Sequence, residues 1–89
     1  MERRESERAP YDQLVDFNVG VLQFIELTNL KLKGNGVDIS QTGLGVYVGY
    51  SLEPGHVLKF NGGTGHKTGI VKWSRKIDNI AYRIGIKFV

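Results

Sequence analysis

Two short stretches carry side chains that could meet a ligand. In Val37-Asp38-Ile39-Ser40 apolar and polar residues alternate. In a strand this puts Asp38 and Ser40 on one face and Val37 and Ile39 on the other. Gln41-Thr42-Gly43 reads as a tight turn, with Gly43 free to take a backbone conformation that other residues avoid. A carboxylate and a hydroxyl are then held side by side at a strand end, next to a glycine that lets a ligand approach the backbone. The same two side chains also suit a local role, capping the turn through nearby backbone N–H groups. The second stretch is Arg4-Glu5-Ser6-Glu7-Arg8. Extended at ~3.3 Å per residue, its two arginines stand roughly 13 Å apart and could clasp a ligand from two sides. The alternative is a solvated tail in which Glu5 and Glu7 pair with the arginines.

Strands must position these groups. Val15, Phe17, Val19 and Val21 alternate with Asp16, Asn18 and Gly20, which predicts a strand over 14–21. Leu22 to Leu27 is apolar without clean alternation, so a bulge is expected near Val21 and a turn over Glu26–Asn29. Asn35-Gly36 is a hairpin signal, but the alternation on both sides favours one long strand through it to Ser40. Further strands are expected over 43–50, 56–60, 67–77 and 80–89. Glu53-Pro54-Gly55, Asn61–Gly65 and Asp78-Asn79 supply the turns between them. Nothing has helical periodicity. The chain is expected to be all-β, a small six-stranded antiparallel barrel over 11–89 with a flexible arginine-rich tail over 1–10.

Eighty-nine residues make one domain, and with no cysteine its stability rests on apolar packing alone. The net charge of +3 is compatible with an anionic partner. No apolar run approaches the ~20 residues of a membrane-spanning helix. The first eight residues are charged with no apolar centre, unlike a secretion signal. A cytoplasmic location without membrane attachment is the expectation, consistent with the lack of cysteine.

An Arg-x-x-x-Arg stretch followed some thirty residues later by Asp-x-Ser-x-x-Gly, on a chain of short strands, resembles the PilZ domain, the bacterial receptor family for cyclic di-GMP. Gly69-Ile70-Val71-Lys72-Trp73 is similar to that family's fifth strand, and Tyr82–Val89 to its closing strand. The resemblance implies a barrel of PilZ type and no cofactor beyond the ligand itself. It implies that Arg4 and Arg8 contact the phosphates or guanines, to which the planar guanidinium fork is suited. Asp38 would accept from guanine N1–H and N2–H₂, Ser40 would bond beside it, and Gly43 would allow close approach. Arg3 is a further ligand contact, associated in the family with an intercalated ligand pair. The tail would fold over the ligand on the barrel face and present a new surface to a downstream protein partner.

Other signals point elsewhere. Gly62-Gly63-Thr64-Gly65-His66-Lys67-Thr68 has the look of a phosphate loop, but His66 interrupts it and a strand follows where a helix is needed, so a plain turn is expected. His56 and His66 lack metal-ligand spacing and are expected at the surface. Trp73 and the phenylalanines fall on alternating positions and are expected in the core. No nucleophile–base arrangement is recognisable, so no enzyme is expected. The rival readings are a small basic barrel binding single-stranded nucleic acid, or a PilZ-like module that binds no ligand and only a protein partner. Against the first, Tyr47 and Tyr50 do not line up with lysines on one sheet face. Against the second, both motifs are intact. Arg4→Ala and Arg8→Ala are each expected to abolish cyclic di-GMP binding while leaving the fold intact, read by calorimetry beside circular dichroism.

Overall fold

The computed structural model describes residues 8–23 and 25–89, and these contain strands, turns and loops but no helix. Seven strands follow one another: β1 (Ala9–Pro10), β2 (Leu14–Gln23), β3 (Glu26–Ile39), β4 (Gly43–Val48), β5 (Val57–Phe60), β6 (Thr68–Lys76) and β7 (Tyr82–Phe88). Six of them run β3-β2-β5-β6-β7-β4, and β4 returns to pair with β3. Every pairing is antiparallel, so the sheet closes into the six-stranded barrel expected of the sequence. β1 is an extra strand laid on the end of β3, with Ala9 opposite Ile39 and Pro10 opposite Asp38. Proline is tolerated there because β1 is an edge, where no partner needs its missing N–H.

Strand alternation fills the barrel. Val15, Phe17 and Val19 of β2 point inward beside Leu44, Val46 and Val48 of β4, Leu58 and Phe60 of β5, and Ile84, Ile86 and Phe88 of β7. Leu52, from the loop after β4, is buried with them. Phe60 and Phe88 meet edge to face at 5.8 Å. No polar or charged residue is buried among the described residues, so the interior has only apolar packing to offer. Functional groups must therefore lie outside it.

β3 is one strand straight through Asn35 and Gly36, as the alternation on either side predicts. The turn expected over Glu26–Asn29 does not form there. β2 and β3 stay in register to Gln23 opposite Glu26, with no bulge near Val21. The physical reason is position. β5 pairs β2 only at Phe17–Val19, and β4 pairs β3 only from Gly34 onward. The far end of this hairpin thus projects beyond the barrel rim, where neither face meets a core. Ile25 and Leu27 are accordingly exposed, and alternation has nothing to enforce it. At the other hairpin, Asp78-Asn79 is not a two-residue turn. Ile77 and Asp78 both donate to the Ala81 carbonyl, and Ile80, expected to open the strand, stays exposed in a five-residue loop. Of the expected tail over 1–10, residues 9 and 10 form β1, and residues 1–7 lie outside the described residues.

Two β-bulges change which way side chains face. On β3, Gly36 and Asp38 oppose Val46 and Gly45, so Val37 is an extra residue. Without it, the inward row Leu30, Leu32, Gly34, Gly36 would continue to Asp38. With it, Ile39 turns inward opposite buried Leu44 and Asp38 turns out. On β6, Val71 and Trp73 oppose Ile86 and Gly85, leaving Lys72 extra. The inward row passes to Ser74, opposite buried Ile84, and Trp73 is turned out at 43% exposure. The expectation of a core tryptophan is thereby corrected.

Replacing Phe17 by Ala, at the centre of the barrel, is expected to cost about 3–5 kcal/mol. Replacing half-exposed Val57 on the outer face is expected to change stability by no more than about 0.5 kcal/mol. Urea denaturation of the two variants checks the difference.

Candidate functional site

The two bulges bring their outward residues into one row across four strands. Asp38 on β3 lies opposite Gly45 on β4, Gly45 opposite Gly85 on β7, and Gly85 opposite Trp73 on β6. The two central positions have no side chain, and the outer two lean over the space. A Cβ on Gly45 would stand 2.6 Å from Asp38 Oδ1, and one on Gly85 would collide with the Trp73 indole at Nε1. The result is a cleft of about 680 Å³ floored by backbone, with Asp38 and Arg8 at one wall and Trp73 at the other. That volume falls within the ordinary range for small-molecule sites.

Arg8 and Asp38 meet although 30 positions separate them: Arg8 Nη2 donates to Asp38 Oδ1 at 2.8 Å. β1 delivers the arginine, because its pairing with the end of β3 fixes the backbone at Ala9 beside Ile39. Just beyond, Tyr11 N–H bonds the Val37 carbonyl and the Tyr11 hydroxyl donates to the Gly63 carbonyl at 2.6 Å, so the entering segment is tied down at two points. The guanidinium lies above β4, its two Nη atoms each 3.9 Å from where a Cβ would stand on Gly43 and Gly45. The hydrogen bond from Arg8 holds the Asp38 carboxyl below its ordinary value. Partial burial opposes this, while the charges of Arg8 and Arg83 and the Gly45 N–H reinforce it. Arg83 of β7 approaches the other oxygen, Oδ2, at 3.8 Å, too far for a hydrogen bond.

Ser40 takes the local role the sequence left open. Its Oγ accepts from the backbone N–H of Thr42 at 3.2 Å and of Gly43 at 3.1 Å, which caps the turn into β4. The Ser40 hydroxyl also meets the Thr42 hydroxyl at 3.4 Å, and Ser40 still lines the cleft. Gly43 lines it too, but not by unusual backbone: its φ is not positive, unlike those of Gly55, Gly62, Gly63 and Gly65. Glycine is required because a Cβ would stand 2.6 Å from the Ile86 carbonyl oxygen across the ladder.

Of the residues singled out in the sequence, Arg8, Asp38, Ser40 and Gly43 come together here, and Arg3 and Arg4 lie outside the described residues. Lys72, Trp73, Arg83, Gly85 and Lys87 share the cleft but were not read as site residues, Trp73 being expected in the core. The Gly45–Gly85 pairing depends on how strands align, for which the sequence has no local signal. Lys87 and Arg83 alternate with inward Ile84 and Ile86, so their outward direction, at least, was open to reading.

The glycine loop before β6 is a turn, with Thr64 Oγ1 capping the N–H of His66 and a strand following. His66 is half-buried and stacks on Phe88 at 3.7 Å, where only a surface position was expected. Among the described residues no three His, Asp or Glu side chains gather as metal ligands, and no helix is long and apolar enough to cross a membrane. No family model matches the chain, and no curated protein matches it.

Because Asp38 titrates below its ordinary value in the folded state, the ion pair with Arg8 stabilises fully above the unfolded carboxylate range. That contribution is lost as pH falls through the lowered folded value. Both partners are partly exposed, so its size is no more than about 1 kcal/mol. Asp38→Asn is expected to lower stability by that amount at neutral pH and to make no difference in strong acid. Urea midpoints at the two pH values test this.

Proposed function

We propose that this chain is a cyclic di-GMP receptor of the PilZ type, a cytoplasmic signalling domain that binds its ligand without transforming it. The observation that carries the reading is the Arg8–Asp38 contact above Gly43 and Gly45. The last residue of Arg-x-x-x-Arg and the first of Asp-x-Ser-x-x-Gly meet in one cleft, with Ser40 beside them. Among the described residues, Arg8, Lys72, Arg83 and Lys87 line this cleft against the one carboxylate of Asp38, a balance suited to a ligand with two phosphates. Trp73 offers an exposed indole face on which a base can stack.

Binding follows from these groups. Asp38 holds Arg8 over β4 before ligand arrives, which lowers the ordering cost of that side chain. Phosphate oxygens accept from Arg8, and from Arg4 and Arg3 as the segment ahead of β1 closes over the ligand. Oδ2 of Asp38, which accepts no hydrogen bond from Arg83 at 3.8 Å, is open to a guanine N–H edge. The covered ligand and the segment above it then form the surface that a downstream protein reads. A second reading is favoured by a different observation. Tyr47 and Trp73 both stand outward on this face, with Arg83 5.9 Å from the Tyr47 ring and Arg75 6.0 Å from the Trp73 ring. That is the make-up of a platform for single-stranded nucleic acid.

Calorimetric titration separates the two. Cyclic di-GMP is expected to give saturable heat at micromolar affinity or tighter, with GMP and an oligothymidylate giving none, and Arg8→Ala is expected to abolish that heat. Silence with cyclic di-GMP at millimolar concentration together with saturable oligothymidylate binding would replace the receptor with the nucleic-acid reading.

A further inference from the structure

Arg83 belongs to neither sequence stretch, yet it lines the cleft with a buried donor that has no acceptor. Its Nε is buried and has no hydrogen-bond partner. Its Nη2 stops 3.8 Å short of Asp38 Oδ2, and Asp38 Oδ1 is already taken by Arg8. In the ladder Arg83 stands directly opposite Tyr47 on one side and Arg75 on the other. Like charges at directly opposed positions repel, and a buried donor left without an acceptor is costly. The side chain is nevertheless partly withdrawn from solvent, 29% exposed, between the Tyr47 ring and the Asp38 carboxylate. A site that accumulates positive charge and leaves a buried donor idle is built for an acceptor that arrives from outside.

We infer that Arg83 is a ligand-binding residue, presenting its Nε–Nη2 edge to a phosphate oxygen of a nucleotide in the cleft. Nε and Nη2 form one side of the guanidinium fork, the side that grips a phosphate with two parallel bonds. Nε is the idle donor, and the Nη2 distance to Asp38 shows that no hydrogen bond has to be broken for the phosphate to enter. Arg83 is carried by β7, inside the closed barrel, so its backbone is fixed independently of the segment that brings Arg8, and a rotation of the side chain opens the solvent-shielded Nε to the phosphate. The inference deepens the receptor reading and rests on this cleft being the nucleotide site, but it concerns phosphate recognition and can be tested apart from ligand identity.

The experiment uses the full chain labelled with ¹⁵N and follows arginine Nε–H resonances, with Arg83→Gln assigning the signal. Inorganic pyrophosphate and cyclic di-GMP are titrated separately. The Arg83 Nε–H is expected to shift saturably with both probes. Arg83→Gln is expected to weaken cyclic di-GMP by about tenfold or more, and Arg83→Lys to recover only part of that, because a lysine keeps the charge but not the fork. A response to pyrophosphate without any binding of cyclic di-GMP keeps the assignment and removes the receptor reading. Calorimetric binding of cyclic di-GMP with the Arg83 resonance unmoved keeps the receptor and removes the assignment. No response of Arg83 to either probe overturns the assignment whether or not heat is seen.

Discussion

Gly45 and Gly85 face each other across β4 and β7, and the space their missing side chains leave is what the rest of the site depends on. The barrel interior is fully committed to apolar packing, so the outer surface is the place for polar chemistry. The outside of a barrel is convex, and a row of ordinary side chains would leave no hollow. Two adjacent glycines lower the floor to the backbone, and Asp38 and Trp73 fold over it from the flanking strands. The concavity is a consequence of strand register: a shift of one residue between β4 and β7 would separate the two glycines and fill the trough.

The bulges at Val37 and Lys72 are the second requirement, and both do the same thing. Each adds one residue to a strand and thereby turns to the outside a side chain that unbroken alternation would send into the core. For Asp38 the alternative would be an acid among aliphatic residues, at a desolvation cost that no partner there offsets. For Trp73 it would be an indole competing for a core already filled by phenylalanines, isoleucines, leucines and valines. The bulges therefore reconcile the needs of the fold with those of the site, as is common beside functional surfaces.

Electrostatics ties the parts together. Among the described residues, Asp38 is the acid of a face that otherwise carries Arg8, Lys72, Arg83 and Lys87, and its two oxygens treat their neighbours differently. Oδ1 makes a hydrogen bond that orders Arg8, while Oδ2 only attracts Arg83 from a distance. One arginine is thus satisfied and one is not. The first contact contributes little to stability, since both groups are partly exposed. Its consequence is positional, because it holds a cation from the chain's N-terminal stretch above the glycine floor.

Much of the fold was legible in the residues. Period-two alternation marked β4, β5 and β7 closely, and the same pattern carried β3 through the Asn35-Gly36 signal, because burial on one face outweighs a local turn preference. Where a strand left the barrel, as between Leu22 and Leu27, alternation had no core to answer to and the turn was misplaced. The Asp38–Gly43 stretch declared its acid, its hydroxyl and its turn locally, and the Ser40 cap is a contact of two and three residues. What the sequence alone determined is this: an apolar inner row on each barrel strand, and an acid and a hydroxyl at the end of one of them. The tertiary structure decided that Arg8 reaches Asp38, that Arg83 stops just short of it, and that Trp73 faces out over Gly85. Those outcomes depend on barrel closure and on two bulges. Both are set by pairing between strands distant in the chain, where no short stretch of residues holds the information.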